Sequence, residues 1–224
     1  MKRTETTHST LFINQAVERI GEISAAAIKA RGAFHCVFAG GDTPRPVYKE
    51  LRNLETDWAA WHCWFSDERC LCANDPGLNS TMTDNELFQH VRIPCGQIHR
   101  IPGELGSTKA ANAYCEIIRQ APLFDLVLLG LGEDGHTASL FPEHDIGNTG
   151  NVPDVLAVFD APKPPPERVS LSAQRLNRSR NVLFLAAGGH KRAIVDALAA
   201  GALLPASMIA GQVSTELLFC TSDS

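Results

Sequence analysis

The run FDLVLLG, Phe124–Gly130, constrains the fold more than any other segment of the chain. It has the length of a strand rather than a helix, and glycine ends it. A strand that is apolar at consecutive positions must be covered on both faces, which is the situation of a parallel sheet flanked by helices. The next residues, LGEDGHTASLFPEH, change character at once: two acids, two glycines and His136 stand together just beyond the run. Open parallel sheets bind ligands beyond the carboxyl ends of their strands. These charges therefore fall where chemistry is expected.

The rest of the chain alternates in the same way. Asn14 to Arg31 is predicted as a helix, with Val17, Ile20, Ile23, Ala27 and Ile28 on one face and Gly32 at its end. AFHCVFAG is a predicted strand leading into Gly40-Gly41. PRPVYKELRNL follows as a helix, with Pro44 or Pro46 in its first turn. WHCWFS is another strand, followed by a polar loop, DERCLCANDPGLNS. The helix TMTDNELFQHV is expected to be capped by Asn79 or Ser80. IHRI, VLAVFD, RVSLS and NVLFLAA complete the predicted strands, and Ser107–Gln120 and His190–Ala200 the helices. Such alternation implies βαβ units. The expected fold class is α/β: a three-layer α/β/α sandwich around a mostly parallel, Rossmann-like sheet, with residues 1–224 forming a single domain. PKPPPE (Pro162–Glu167) is either a linker or a stiff loop. The strands that follow it favour a loop within that domain.

Composition narrows the function classes. The net charge of −5 argues against a nucleic-acid binder, which usually carries a basic face. No segment approaches the ~20 apolar residues that span a bilayer, and MKRTETTHSTLFI lacks the apolar centre of a signal peptide. Seven cysteines at irregular spacing, several within HCVF, HCWF and LLFC, suggest reduced, buried thiols and a cytoplasmic setting. His62, Cys63, Cys70 and Cys72 have no CxxC or HxxxH partner, so no metal site is expected.

Four strand-ending loops carry the candidate residues. GGDTP, with Gly40, Gly41 and Thr43, is either a phosphate cradle of backbone N–H groups or a plain tight turn. It is neither a Walker loop nor GxGxxG, so no nucleotide is implied. Asp67-Glu68-Arg69 follows WHCWFS, and Arg69 is either a structural ion pair or an anion ligand. Lys191 opens a helix, where a cation is misplaced unless an anion lies nearby; a solvated lysine is the plain alternative. Arg168 follows the proline run that would hold it rigid, with a surface arginine as its alternative. His136 is the candidate for acid–base work because imidazole titrates near neutrality, and Asp134 stands two residues away to orient it.

Together these loops resemble the 6-phosphogluconolactonases. The pattern GLGEDGHTASLFP stands unbroken at Gly130–Pro142. GGDTP, Asp67-Glu68-Arg69, IHRIPGEL, ERVSLS, LNRSRNVLFLAAGGHK and LPASMIAG match in order over about residues 30 to 213. The resemblance implies hydrolysis of 6-phospho-D-glucono-1,5-lactone to 6-phospho-D-gluconate in the pentose phosphate pathway, without metal or organic cofactor. It implies His136, Asp134 and Asp67 as catalytic residues, and Gly40, Gly41, Thr43, Arg69, Arg168 and Lys191 as substrate-binding ones. The expected partner is the small sugar-phosphate lactone, with no nucleic acid or membrane, in a monomer or weak homodimer. The related glucosamine-6-phosphate deaminases continue their histidine motif to N-E-P and carry D-E-Y. This chain has Leu140-Phe141-Pro142 and Asp67-Glu68-Arg69, which favours the lactonase. A deaminase or isomerase of amino-sugar phosphates and a non-catalytic sugar-phosphate sensor are the alternatives. One departure is Asp42, where the lactonases usually have serine; it either points inward, where its charge would repel a phosphate, or points away and caps the following helix.

Overall fold

In the computed structural model of the chain, which describes residues 1–222, seven strands form one parallel sheet. They are β1 (Lys2–Thr6), β2 (Phe34–Phe38), β3 (Trp61–Phe65), β5 (Ile98–His99), β6 (Phe124–Gly130), β9 (Ser179–Ala187) and β10 (Ser214–Cys220), in the spatial order β1-β10-β9-β6-β2-β3-β5. Helices cover both sides: α1 (Ser9–Arg31), α2 (Arg45–Leu51), α3 (Asn79–Glu86), α4 (Ser107–Ile118), α5 (Ala173–Asn177) and α6 (Arg192–Ala199). The run FDLVLLG is β6 residue for residue, at the centre of the sheet between β2 and β9. Its residues Phe124 to Leu129 are all buried, as an apolar strand covered on both faces requires. α1 begins earlier than its periodicity suggests, because Phe12 and Ala16 extend the buried stripe of Ile20, Ile23 and Ala27. Gly32 ends it in the left-handed conformation (φ 75°), with its N–H on the carbonyl of Ile28.

Three strands differ from the expected parallel arrangement. β4 (Asp67–Arg69), β7 (Val155–Val158) and β8 (Arg168–Leu171) form a separate antiparallel sheet in the order β4-β8-β7. A parallel crossover needs a dozen or more residues, usually with a helix. The proline run joins β7 to β8 with no helix between them, so the two strands return antiparallel. DER is not loop but the strand that pairs with the start of β8, Arg69 opposite Arg168. β1 and β10 escaped the periodicity reading. β1 is an edge strand with one buried residue, and its place comes from pairing with β10.

The cap expected at Asn79 or Ser80 is also corrected. α3 starts at Asn79 and has no side-chain cap from its own chain start. The buried Glu68 carboxylate, on β4, accepts the N–H groups of Asn79 (2.7 Å) and Ser80 (2.8 Å) instead. An anion from another element thus meets the positive end of the helix. Asn79 is thereby released to point its side chain elsewhere. At α2, Pro46 lies in the first turn and Pro44 just before it.

Candidate active site

The carboxyl ends of β2, β3, β6 and β9 and the β4–β8 pair surround one cleft of about 310 Å³. Of the nine residues singled out in the sequence, Gly40, Gly41, Thr43, Asp67, Arg69, His136, Arg168 and Lys191 line it. Asp134 does not; it stands behind His136 and touches the imidazole.

The loop after β6 is built to fix that imidazole. Gly132 N–H bonds the carbonyl of His136 (2.9 Å) and Gly135 N–H that of Gly132 (3.0 Å), closing the turn. A Cβ on Gly132 would lie 2.1 Å from His136 Nδ1, so only glycine fits. Gly135 has a φ of +83°, a left-handed conformation that glycine adopts without strain. Asp134 Oδ1 lies 2.5 Å from His136 Nδ1 and also accepts the backbone N–H of His136 (3.2 Å). Burial alone would raise the Asp134 carboxyl, but these hydrogen bonds from His136 bring it below the ordinary carboxylate value. With Nδ1 donating to Asp134, Nε2 presents the lone pair. The ring also meets Phe141, whose centroid is 4.9 Å away at an interplanar angle of 41°. Phe141 is 1% exposed and packs with Val158 and Ala161 in a small apolar cluster of its own.

β4 and β8 supply the charged wall. The carboxylate of Asp67, 5% exposed, accepts hydrogen bonds from Ser66 Oγ (3.0 Å), Asn79 Nδ2 (3.4 Å) and Ser139 Oγ (2.7 Å). Arg168, 6% exposed, donates to the carbonyls of Lys163 (2.6 Å), Pro164 (3.3 Å) and Pro165 (3.1 Å). The proline run therefore grips this arginine from behind, and Phe141 lies 5.6 Å under its guanidinium carbon. Burial lowers the guanidinium's basicity and the Asp67 charge partly restores it, while Arg69 opposes it. Arg69 donates from Nη1 to the carbonyl of Gly77, and its Nε is buried without a partner.

GGDTP lines the cleft beside Asn79. A Cβ on Gly40 would meet the Asn79 side chain at 1.8 Å, and Gly41 has a φ of +94°, so each glycine has its own steric reason. Asp42 does not cap α2. Its side chain is 93% exposed and lies 3.6 Å from Arg45. Lys191 is the last residue of a short turn, Gly189–Lys191, and immediately precedes α6. Burial lowers its pKa, as does the charge of Lys163, against the raising effect of Glu133 and Asp42. Lys163, Asn79, Glu133 and His190 also line the cleft and were not singled out as site residues in the sequence. Lys163 stands in PKPPPE between β7 and β8 and Asn79 at the start of α3, and neither position carries a local signal of a ligand. Among the described residues, no three His, Cys, Asp or Glu side chains converge as a metal site. The thiols of Cys36, Cys63 and Cys220 are buried and unpaired. Among the described residues, no helix is long and apolar enough to cross a membrane.

The model of the glucosamine-6-phosphate isomerases/6-phosphogluconolactonase family matches residues 7–218. The chain belongs to that family. It is 33% identical over 205 residues to the 6-phosphogluconolactonase of Thermotoga maritima, covering 91% of this chain and 92% of that protein. The crystal structure of a T. maritima 6-phosphogluconolactonase superposes with a TM-score of 0.91 at 30% identity, over 97% of this chain and 98% of the other. The rabbit GDH/6PGL endoplasmic bifunctional protein is 37% identical over 187 residues, 77% of this chain. This chain spans only 23% of that longer protein's length.

Two of the family cleft's charged groups yield tests with inorganic phosphate as the probe. A lysine with a lowered pKa holds its cation below that pKa and loses it as pH rises through it. Above about pH 8, where phosphate is already a dianion, wild-type affinity is expected to fall at lower pH than an ordinary lysine would dictate, and Lys191→Arg to remain level. Superimposable titration-calorimetry profiles for the two proteins would contradict this role for Lys191. Asp42→Ser removes an exposed negative charge from the rim, so phosphate should bind about 2- to 5-fold tighter in low salt and the gain should shrink as salt screens it. An affinity unchanged at low ionic strength counts against that electrostatic cost.

Proposed function

We propose that this chain hydrolyses 6-phospho-D-glucono-1,5-lactone to 6-phospho-D-gluconate, with His136 as general base. The observation that carries the proposal is the His136–Asp134 pair at the cleft wall: Nδ1 is taken by the carboxylate and Nε2 is left for chemistry. Nε2 removes a proton from water as the water oxygen attacks the lactone carbonyl. The tetrahedral intermediate collapses by breaking the bond from the carbonyl carbon to the ring oxygen, and the imidazolium returns the proton to that oxygen. The ester carbonyl is electrophilic enough for activated water, and the residues assigned here supply the base and the charge. Asp134 holds the ring's orientation and supports the imidazolium.

The remaining residues position the substrate. The backbone of Gly40, Gly41 and Thr43 with Arg69, Arg168 and Lys191 grips the phosphate, and Asp67 holds sugar hydroxyls or water. Supporting this, Arg168 and Lys191 lie in the same cleft as His136 and are held there by the proline run and the β9–α6 turn. Phe141 supports the lactonase over a deaminase. An aromatic ring packs against His136 in the stretch where the deaminases continue to N-E-P, and a phenyl group cannot carry a proton.

His136→Ala should lower turnover of the lactone by about 10²–10⁴-fold, the usual contribution of a general base. Inorganic phosphate should bind this variant as it binds the wild type, since no phosphate ligand has been removed. Wild-type turnover in the variant would remove His136 from the mechanism.

A further inference from the structure

We infer that Ser139 is a positioning residue that aims the Asp67 carboxylate and locks the His136 loop against it; the inference rests on the lactonase reading. Ser139 lies three residues after His136, is 2% exposed and does not line the cleft. Its hydroxyl donates to Asp67 Oδ2 at 2.7 Å, the shortest of the hydrogen bonds that carboxylate receives. The other two donors, Ser66 and Asn79, both reach Oδ1, so among the described residues Ser139 alone holds Oδ2. With Oδ1 shared and Oδ2 tied, rotation of the carboxylate about Cβ–Cγ is blocked.

The loop is shaped to deliver that hydroxyl. Ala138 sits at a φ of +50°, a left-handed conformation that a residue with a Cβ seldom takes. The turn around it is closed by the Leu140 N–H on the carbonyl of Thr137 (2.9 Å), while Thr137 Oγ1 bonds the carbonyl of Gly130 at the end of β6 (2.8 Å). The Ser139 N–H donates to Ser170 Oγ on β8 (3.3 Å). One residue thus ties the loop that carries the base to β4, which carries the carboxylate, and to β8, which carries Arg168. A buried serine with a satisfied hydroxyl would need only one acceptor. Here the acceptor is a charged group that itself lines the cleft, and the strained turn serves the contact.

The test is a double-mutant cycle of Ser139→Ala and Asp67→Asn. It is read as kcat/KM on the lactone and, separately, as the affinity for 6-phosphogluconate by calorimetry. Ser139→Ala alone should lower kcat/KM about tenfold, the lower end of what a hydrogen bond to a charged group is worth. In the Asp67→Asn background the same change should cost less than about twofold, because the carboxylate charge through which Ser139 acts has been removed and only a weaker bond to a neutral amide remains. Ser139→Cys, similar in size with a weaker donor, should fall between serine and alanine, which separates a lost hydrogen bond from a lost fold. An undiminished tenfold loss in the Asp67→Asn background overturns the inference, as does a Ser139→Ala enzyme equal to wild type. A wild-type protein that fails to accelerate lactone hydrolysis defeats the lactonase reading, and the 6-phosphogluconate cycle then decides the role of Ser139 on its own. Absence of binding by the wild type overturns both.

Discussion

Neither face of β6 can be left in water, and the rest of the molecule follows from that. Leu126, Val127, Leu128 and Leu129 point alternately to the two sides of the sheet and are all fully buried. Each such side chain stabilises the fold by roughly 1.5–3 kcal/mol when covered. Exposing either face would therefore forfeit much of the ~5–15 kcal/mol by which a domain is stable. The strand must have parallel neighbours and helices on both sides, and polar residues can begin only past its end. Gly130 is that end, and His136 is six residues beyond it.

The cleft then joins two structures with different tasks. The parallel sheet contributes loops from β2, β6 and β9, with glycines where a backbone must turn sharply or approach a side chain. The small antiparallel sheet contributes charge: Asp67, Arg69 and Arg168 come from a two-strand ladder and are more rigidly placed than loop residues would be. Burial disfavours the charge of Arg168 on this sheet and of Lys191 on the β9–α6 turn. In the proposed function, a bound phosphate relieves that cost, and this is how the site would prefer phosphorylated sugars. The Asp67 charge offsets part of that cost for Arg168.

How much was legible in the sequence follows from how local each signal was. The α/β alternation, the burial of FDLVLLG and the convergence of four strand-ending loops depend on short-range patterns, and all appear in the structure. Eight of the nine candidate residues line one cleft for the same reason: strand ends are recognisable one at a time. What was not legible depends on long-range pairing. β1 is polar and lies at an edge, so nothing in KRTET announces a strand until β10 is beside it. DER looked like loop because its partner, β8, lies about a hundred residues later. Glu68 replaces the expected cap of α3 from outside the helix, and a cap supplied by another element leaves no mark on the helix's own sequence. Lys163 was hidden by its proline neighbours. Its place in the cleft arises from the β7–β8 hairpin, itself invisible to periodicity.

The most direct measurement follows the disappearance of freshly generated 6-phospho-D-glucono-1,5-lactone in mildly acidic buffer, where spontaneous hydrolysis is slow, with glucosamine 6-phosphate assayed alongside for ammonia release. The account predicts lactone loss far faster than in buffer alone and no ammonia. Lactone decay at the buffer rate, or release of ammonia from the amino sugar, would contradict it.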